Sequence, residues 1–127
     1  MIRCLKKAKS VTQKNEAWIG NWESQVRKGM LDFIILLCLR KREYYGYELI
    51  KTIKAASELE ISEGTIYPLL NRLKKEDLVT SRWEEKESGM SRKYYGITAK
   101  GRSALAEVKN SWLKLNASLA RIMEEEP

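Results

Sequence analysis

Apolar residues recur with helical spacing over most of this chain and alternate in one short stretch. Ile66, Leu69, Leu70 and Leu73 fall at i, i+3, i+4 and i+7, lining one face of a helix, while Thr65, Tyr67, Pro68, Asn71, Arg72, Lys74 and Lys75 fall on the others. The helix is expected to begin near Ser62 to Thr65 and to end near Asp77. Thr65 or Gly64 would be its N-cap, and Pro68 would fall in or beside the first turn, where a missing N–H costs little. Next, Val79, Ser81 and Trp83 alternate with Thr80, Arg82 and Glu84. A tyrosine-rich run from Arg92 to Ile97 follows, and Lys86 to Ser91, with Gly89 and two serines, marks the turn between them.

Upstream, a helix is predicted from about Glu23 or Lys28 to Arg40. Its block of Met30, Leu31 and Phe33 to Leu39 is apolar on nearly every side, so burial on more than one face is expected. A second helix, around Gly46 to Ala55, would set Tyr47, Leu49, Ile50 and Ile53 beside it, with Ala56 to Ile61 as connector. Before these, Trp18, Ile19, Trp22 and Val26 suggest a short amphipathic helix preceded by a basic arm that holds Arg3, Lys6, Lys7, Lys9 and Lys14 and no acid. At the other end Leu105, Val108, Trp112, Leu115, Leu119 and Ile122 are spaced 3, 4, 3, 4 and 3 apart, an a/d heptad stripe behind Thr98 as N-cap. Such a stripe seeks another helix. We assign it to self-association, with folding back onto the first long helix as the alternative.

The expected fold is mainly α with a small β-hairpin (α+β): a winged helix-turn-helix plus a long C-terminal dimerisation helix. Residues 1–22 form the basic arm and short helix, 23–102 the winged helix-turn-helix, and 103–127 the dimerisation helix. In that order of elements the helix at 62–77 is the one that enters a DNA groove and the hairpin is the wing. Tyr67, Asn71 and Arg72 carry donors for phosphates and base edges, and a loop ending in Ser91, Arg92 and Lys93 can lay positive charge along a backbone.

Composition changes this picture little. The 127 residues are one domain's worth, 43% of them apolar, and the net charge of +7 favours a polyanionic partner. Histidine is absent, which removes Ser-His and Cys-His nucleophiles and His-bearing metal sites, and no glycine-rich phosphate loop is present; no enzyme, metal or cofactor is expected. Glu84, Glu85 and Glu87 balance charge on the hairpin. Two cysteines make no disulfide framework, and Cys38 in the apolar helix serves as a small hydrophobe. No run reaches bilayer length and no secretory core follows the basic N-terminus, so a cytoplasmic protein without membrane partners is expected.

Four motifs, LDFIILLCL, YYGYELIK, EGTIYPLLNRLKKEDLV and SRKYYGITAKG, make the region from about 28 to 123 resemble the PadR-like transcriptional regulators. The resemblance implies a dimeric winged-helix DNA-binding protein, usually a repressor, in which Tyr67 touches the DNA backbone and the wing reaches an adjoining groove. In short members that sense drugs or other planar compounds, it implies a tryptophan at the position of Trp112, facing its dimer mate across a pore. Trp112 would then be a stacking platform, Asn116 a polar lining residue, and Phe33 and Leu37 apolar walls. Lys109 stands where such a pore carries an aromatic residue, which brings an anionic or phenolic ligand into competition with a flat cation.

The combined expectation is a homodimer that binds a palindromic operator in double-stranded DNA through Thr65, Tyr67, Asn71, Arg72, Lys75, Arg92 and Lys93. Leu105, Val108, Leu115, Leu119 and Ile122 would form the seam, and a small aromatic effector would release the DNA. A regulator without an effector and a winged-helix protein-interaction module stand as alternatives.

Overall fold

The computed structural model describes the backbone of residues 2–124 and the side chains of residues 15–124. Arg3, Lys6, Lys7, Lys9 and Lys14 of the expected basic arm, and the acidic end from residue 125, lie outside the described side chains. The elements run α1 (Ile2–Lys41), β1 (Tyr44–Tyr45), α2 (Gly46–Ala56), α3 (Glu63–Lys75), β2 (Val79–Glu85), β3 (Ser91–Ile97) and α4 (Ala99–Glu124). The chain divides into two units, residues 1–31 and 32–127.

In the first unit α1 holds Trp18, Ile19, Trp22 and Val26, all exposed. Where an arm and a separate short helix were expected, a single helix runs from Ile2. No proline interrupts it, and its Lys, Gln, Glu and Ala residues favour helix locally.

The second unit has one core. Phe33, Ile35, Leu36 and Leu39 of α1, Leu49, Ile50 and Ile53 of α2, and Ile66, Leu70 and Leu73 of α3 are buried in it, joined by Ile61, Val79, Tyr95 and Leu105. The predicted inner face of α3 is thus the packed one, with Leu69 half-buried at its edge. On α1 a second face, Ile34, Leu37 and Cys38, stays half-exposed. Burial pushes the Cys38 thiol up from its ordinary pKa, against a smaller lowering by Lys41, which keeps it protonated.

The hairpin is part of a three-stranded antiparallel sheet in the order β1-β3-β2. Tyr44 and Tyr45 pair with Tyr95 and Tyr94, and β2 pairs with β3 from Val79↔Ile97 at the base to Glu85↔Ser91 near the tip. The tip closes with Gly89 N–H donating to Lys86 C=O at 2.9 Å and Lys86 N–H donating to Met90 C=O at 3.0 Å. Gly89 has φ +82°, the left-handed conformation that a short hairpin loop needs and glycine adopts without a Cβ clash.

Two junctions fix α3 against the wing and α4. The α3 C-terminus turns through Asp77 at φ 62°, where Asp77 N–H donates to Lys74 C=O and Leu78 N–H reaches back to Leu73 C=O. This is the paired closure usually built on glycine. Thr98 then caps α4 as expected: its hydroxyl oxygen accepts from Gly101 N–H at 2.9 Å and its O–H donates to Asp77 C=O at 2.7 Å. Wing base, α3 exit and α4 start are tied at one corner.

Two expectations are corrected, and one exposed ring stands out. Ser62, not Thr65 or Gly64, is the N-cap of α3, so Pro68 is the sixth residue and lies inside the helix, leaving the exposed Gly64 carbonyl without its i+4 donor. Tyr47 turns outward, 52% exposed beneath the Lys51 ammonium, because α2 starts at Gly46 and directs Leu49, Ile50 and Ile53 inward instead. Trp83 is 67% exposed although it shares the sheet face of buried Val79; the strands run on past the end of the core.

Candidate nucleic-acid interface

A helix with Ile66, Leu70 and Leu73 turned inward presents the opposite side at Gly64, Pro68, Asn71 and Lys75, all exposed. Thr65 and Arg72 flank this stripe on one side, Tyr67 and Lys74 on the other. Arg72, Lys74 and Lys75 occupy the last turn, where cations also complement the helix dipole, and Glu63 sits in the first. The expected contact residues on α3 therefore share one outward half of the helix.

The two flanks differ in what they touch. Arg72 forms an ion pair with Asp32 of α1, forty residues earlier in the chain and invisible to local spacing. The second Asp32 oxygen is buried with no partner among the described residues. The Arg72 charge is thus already shared with Asp32. Thr65 lies near the helix start, its hydroxyl 3.2 Å from that of Ser62.

On the other flank, Tyr67 lies against the start of α2. A Cβ on Gly46 would stand 2.4 Å from the phenol oxygen and 2.5 Å from a ring carbon, so this ring position requires glycine there. Burial, and then the Glu63 carboxylate, push the Tyr67 hydroxyl above its ordinary pKa; it remains a donor at neutral pH. Tyr95 behind it is raised by burial and by Tyr67. A groove opens here between α3 and the wing, lined by Tyr45, Gly46, Tyr67, Trp83, Ser91, Arg92, Lys93 and Tyr95.

Arg92 and Lys93 stand within β3, not in the tip loop, and successive strand residues point to opposite faces. Lys93 is on the face of Trp83 and Tyr95, its ammonium 5.8 and 5.7 Å from those rings. Arg92 turns to the other face and stacks 4.5 Å over Tyr45. There Tyr45 meets Tyr94 edge-on at 5.8 Å, Arg82 covers Tyr94, and Arg82 pairs with Glu43 at 2.9 Å. This ladder joins the wing to β1 and fixes its angle beside α3. The tip itself carries Glu85 and Glu87 with Lys86, so the wing's positive charge is on its flank. Trp83 and Gly46 were not among the expected site residues; only the folded arrangement places them beside Tyr67.

Of the expected seam residues, Leu105 is 4% exposed and belongs to the core of its own chain. Val108, Leu115, Leu119 and Ile122 are exposed along α4. Trp112 is half-buried, Asn116 is exposed one turn beyond it, Leu37 is half-buried and Phe33 is almost wholly enclosed.

A helix-turn-helix of α2 and α3, a three-stranded wing and an outward helix face bearing Asn71, Arg72 and Lys75 define a winged-helix protein of the DNA-binding kind. The model of the transcriptional regulator PadR-like family matches residues 35–107. A PadR-like transcription factor from Bacteroides fragilis is 46% identical, with a TM-score of 0.69 over 80% of this chain and 98% of that one. A PadR family transcriptional regulator from Eggerthella lenta is 30% identical, with a TM-score of 0.80 over 90% of this chain and 99% of the other. The transcriptional regulator YqjI of Escherichia coli is 34% identical over 99 residues, 76% of this chain, and the chain spans only 42% of YqjI's length. The chain belongs to the PadR-like family of transcriptional regulators, which are not enzymes. Among the described residues no helix is long and apolar enough to cross a membrane.

Proposed function

We propose that the protein is a homodimeric repressor that binds a palindromic operator and is released by a small aromatic acid. The observation that carries the reading is the stripe of Val108, Leu115, Leu119 and Ile122, each 39% exposed or more, on a helix that leaves the DNA-facing domain. Apolar residues at heptad spacing in water favour a partner helix, and a two-fold axis through that seam gives two copies of α3 for two half-sites. Thr65, Tyr67, Asn71 and Lys75 contact DNA from α3, Lys93 contacts it from the wing, and Arg92 sets the wing angle while adding charge. Arg72 contributes once it exchanges Asp32 for phosphate.

Burial changes which residues can wall an effector site. Phe33 is too enclosed to face a ligand, and Leu37 with Ile34 and Cys38 supplies the half-exposed face of α1 instead. Arg40, Arg102 and Lys109 border a cleft floored by Leu105 and Ala106, and among the described residues no carboxylate lines it. Three cations beside an apolar floor favour a ligand with a flat apolar body and an acid group, and Trp112, one turn beyond Lys109, supplies a stacking surface. Ligand binding releases DNA if it favours the dimer arrangement in which the two recognition helices no longer match the operator.

Enrichment of binding sequences from random duplexes tests this reading. The expected product is an inverted repeat with half-sites roughly 10 base pairs apart or a multiple of that. Phenolic and other planar aromatic acids should dissociate the complex for wild type and fail with Trp112→Ala. An unpaired half-site as the enriched sequence would remove the dimer, and release of Trp112→Ala at wild-type ligand concentrations would remove the stacking site.

A further inference from the structure

The groove between α3 and the wing holds one large exposed ring, Trp83, with no role in the DNA contacts assigned to α3 and Lys93. We propose that Trp83 contacts DNA: its indole forms the apolar wall of a seat for one sugar–phosphate unit of the strand passing between α3 and the wing. The proposal rests on the DNA-binding reading and adds a contact of a different chemistry to it.

Trp83 is 67% exposed, on the same sheet face as Lys93, Tyr95 and buried Val79. An indole left in water on a strand that has outrun its core keeps a large apolar surface unpaired. Its surroundings suit one sort of occupant. Lys93 supplies a cation, Ser91 and Tyr67 supply two hydroxyls, Arg92 borders the groove while stacked on Tyr45, and among the described residues no carboxylate lines it. The Lys93 ammonium lies between the Trp83 and Tyr95 rings, which bias it toward the groove rather than toward the acidic tip. The raised pKa of Tyr67 keeps its hydroxyl available to donate. A phosphate fits donors of this kind, and the C–H face of a deoxyribose fits an indole. In an intact duplex the bases stay stacked inside, so the backbone is what reaches a groove beside a helix docked in the major groove. The contact is therefore indifferent to sequence and, being apolar, releases no counterions.

That last property separates it from the neighbouring charges. With a fluorescein-labelled duplex of mixed sequence, followed by anisotropy at several salt concentrations, Trp83→Ala should weaken binding by about fivefold at every salt concentration, because the area removed is that of one partly covered ring. The slope of log K against log salt should not change. Trp83→Phe should recover most of the affinity, whereas Lys93→Gln should flatten the slope by about 0.9, the value for one phosphate no longer neutralised. Wild-type affinity in Trp83→Ala overturns the proposal while leaving DNA binding intact. So does a slope that flattens along with the affinity, since the whole wing would then have come away. Absence of duplex binding by the wild type at the lowest salt overturns the DNA-binding reading itself.

Discussion

Gly101→Ala is expected to cost about 3 kcal/mol of folding stability, the upper range for forcing one carbon into a packed junction plus the partial loss of a helix cap. A Cβ at this position would lie 2.1 Å from the Leu78 carbonyl oxygen and 2.8 Å from Ile97 Cγ1. The obstacle is backbone, which cannot rotate away as a side-chain tip would. That carbonyl also accepts from Thr98 N–H at 3.1 Å, and the Gly101 N–H is the one that the Thr98 hydroxyl caps. Moving α4 aside would break both bonds and loosen the corner where α3 exits and the wing begins. Urea unfolding followed by far-ultraviolet dichroism measures the loss. A change under about 0.5 kcal/mol, the range of ordinary surface substitutions, would mean that the corner is not rigid.

The second large effect is expected in the proposed seam between two copies of α4. Leu119 is 45% exposed in the single chain, between Leu115 and Ile122 on the heptad stripe. An ionised carboxylate in a closed apolar interface costs several kcal/mol. Leu119→Asp should therefore sediment as a monomer at micromolar concentration while keeping its helix content, and operator affinity should fall by about a hundredfold or more, since each half-site is then held singly. A Leu119→Asp protein that remains dimeric would place the seam elsewhere.

The parts of the molecule legible in the sequence were those governed by local period and local capping. Ile66, Leu70 and Leu73 announce the inner face of α3 because burial repeats every 3.6 residues, and Thr98 announces α4 because its cap bond spans three residues. β1 was not legible: two tyrosines carry no period, and they become a strand only when β3 lies beside them. The Arg72–Asp32 ion pair joins positions that no window connects. The exposure of Trp83 was not legible either, since alternation records which sheet face a side chain is on but not whether a core still lies beneath it. Pro68 shows the same limit at a helix start, where Ser62 takes the cap and carries the proline inside. For the basic pair of the wing, the sequence places Arg92 and Lys93 side by side. The pleat then separates them, giving one to the groove and the other to the tyrosine ladder.

The central claim is that the outward stripe of α3, together with the wing, binds the phosphate backbone of duplex DNA. Its most direct test is the salt dependence of duplex binding by the wild type and by Lys75→Gln, a substitution at an exposed position that leaves the core untouched. For the wild type, log K should fall steeply and linearly with log salt. In Lys75→Gln the slope should be shallower by about 0.9 and the affinity lower for all sequences alike. A wild-type affinity that does not depend on salt, or a Lys75→Gln slope equal to the wild type's, would contradict the assignment of this face to DNA.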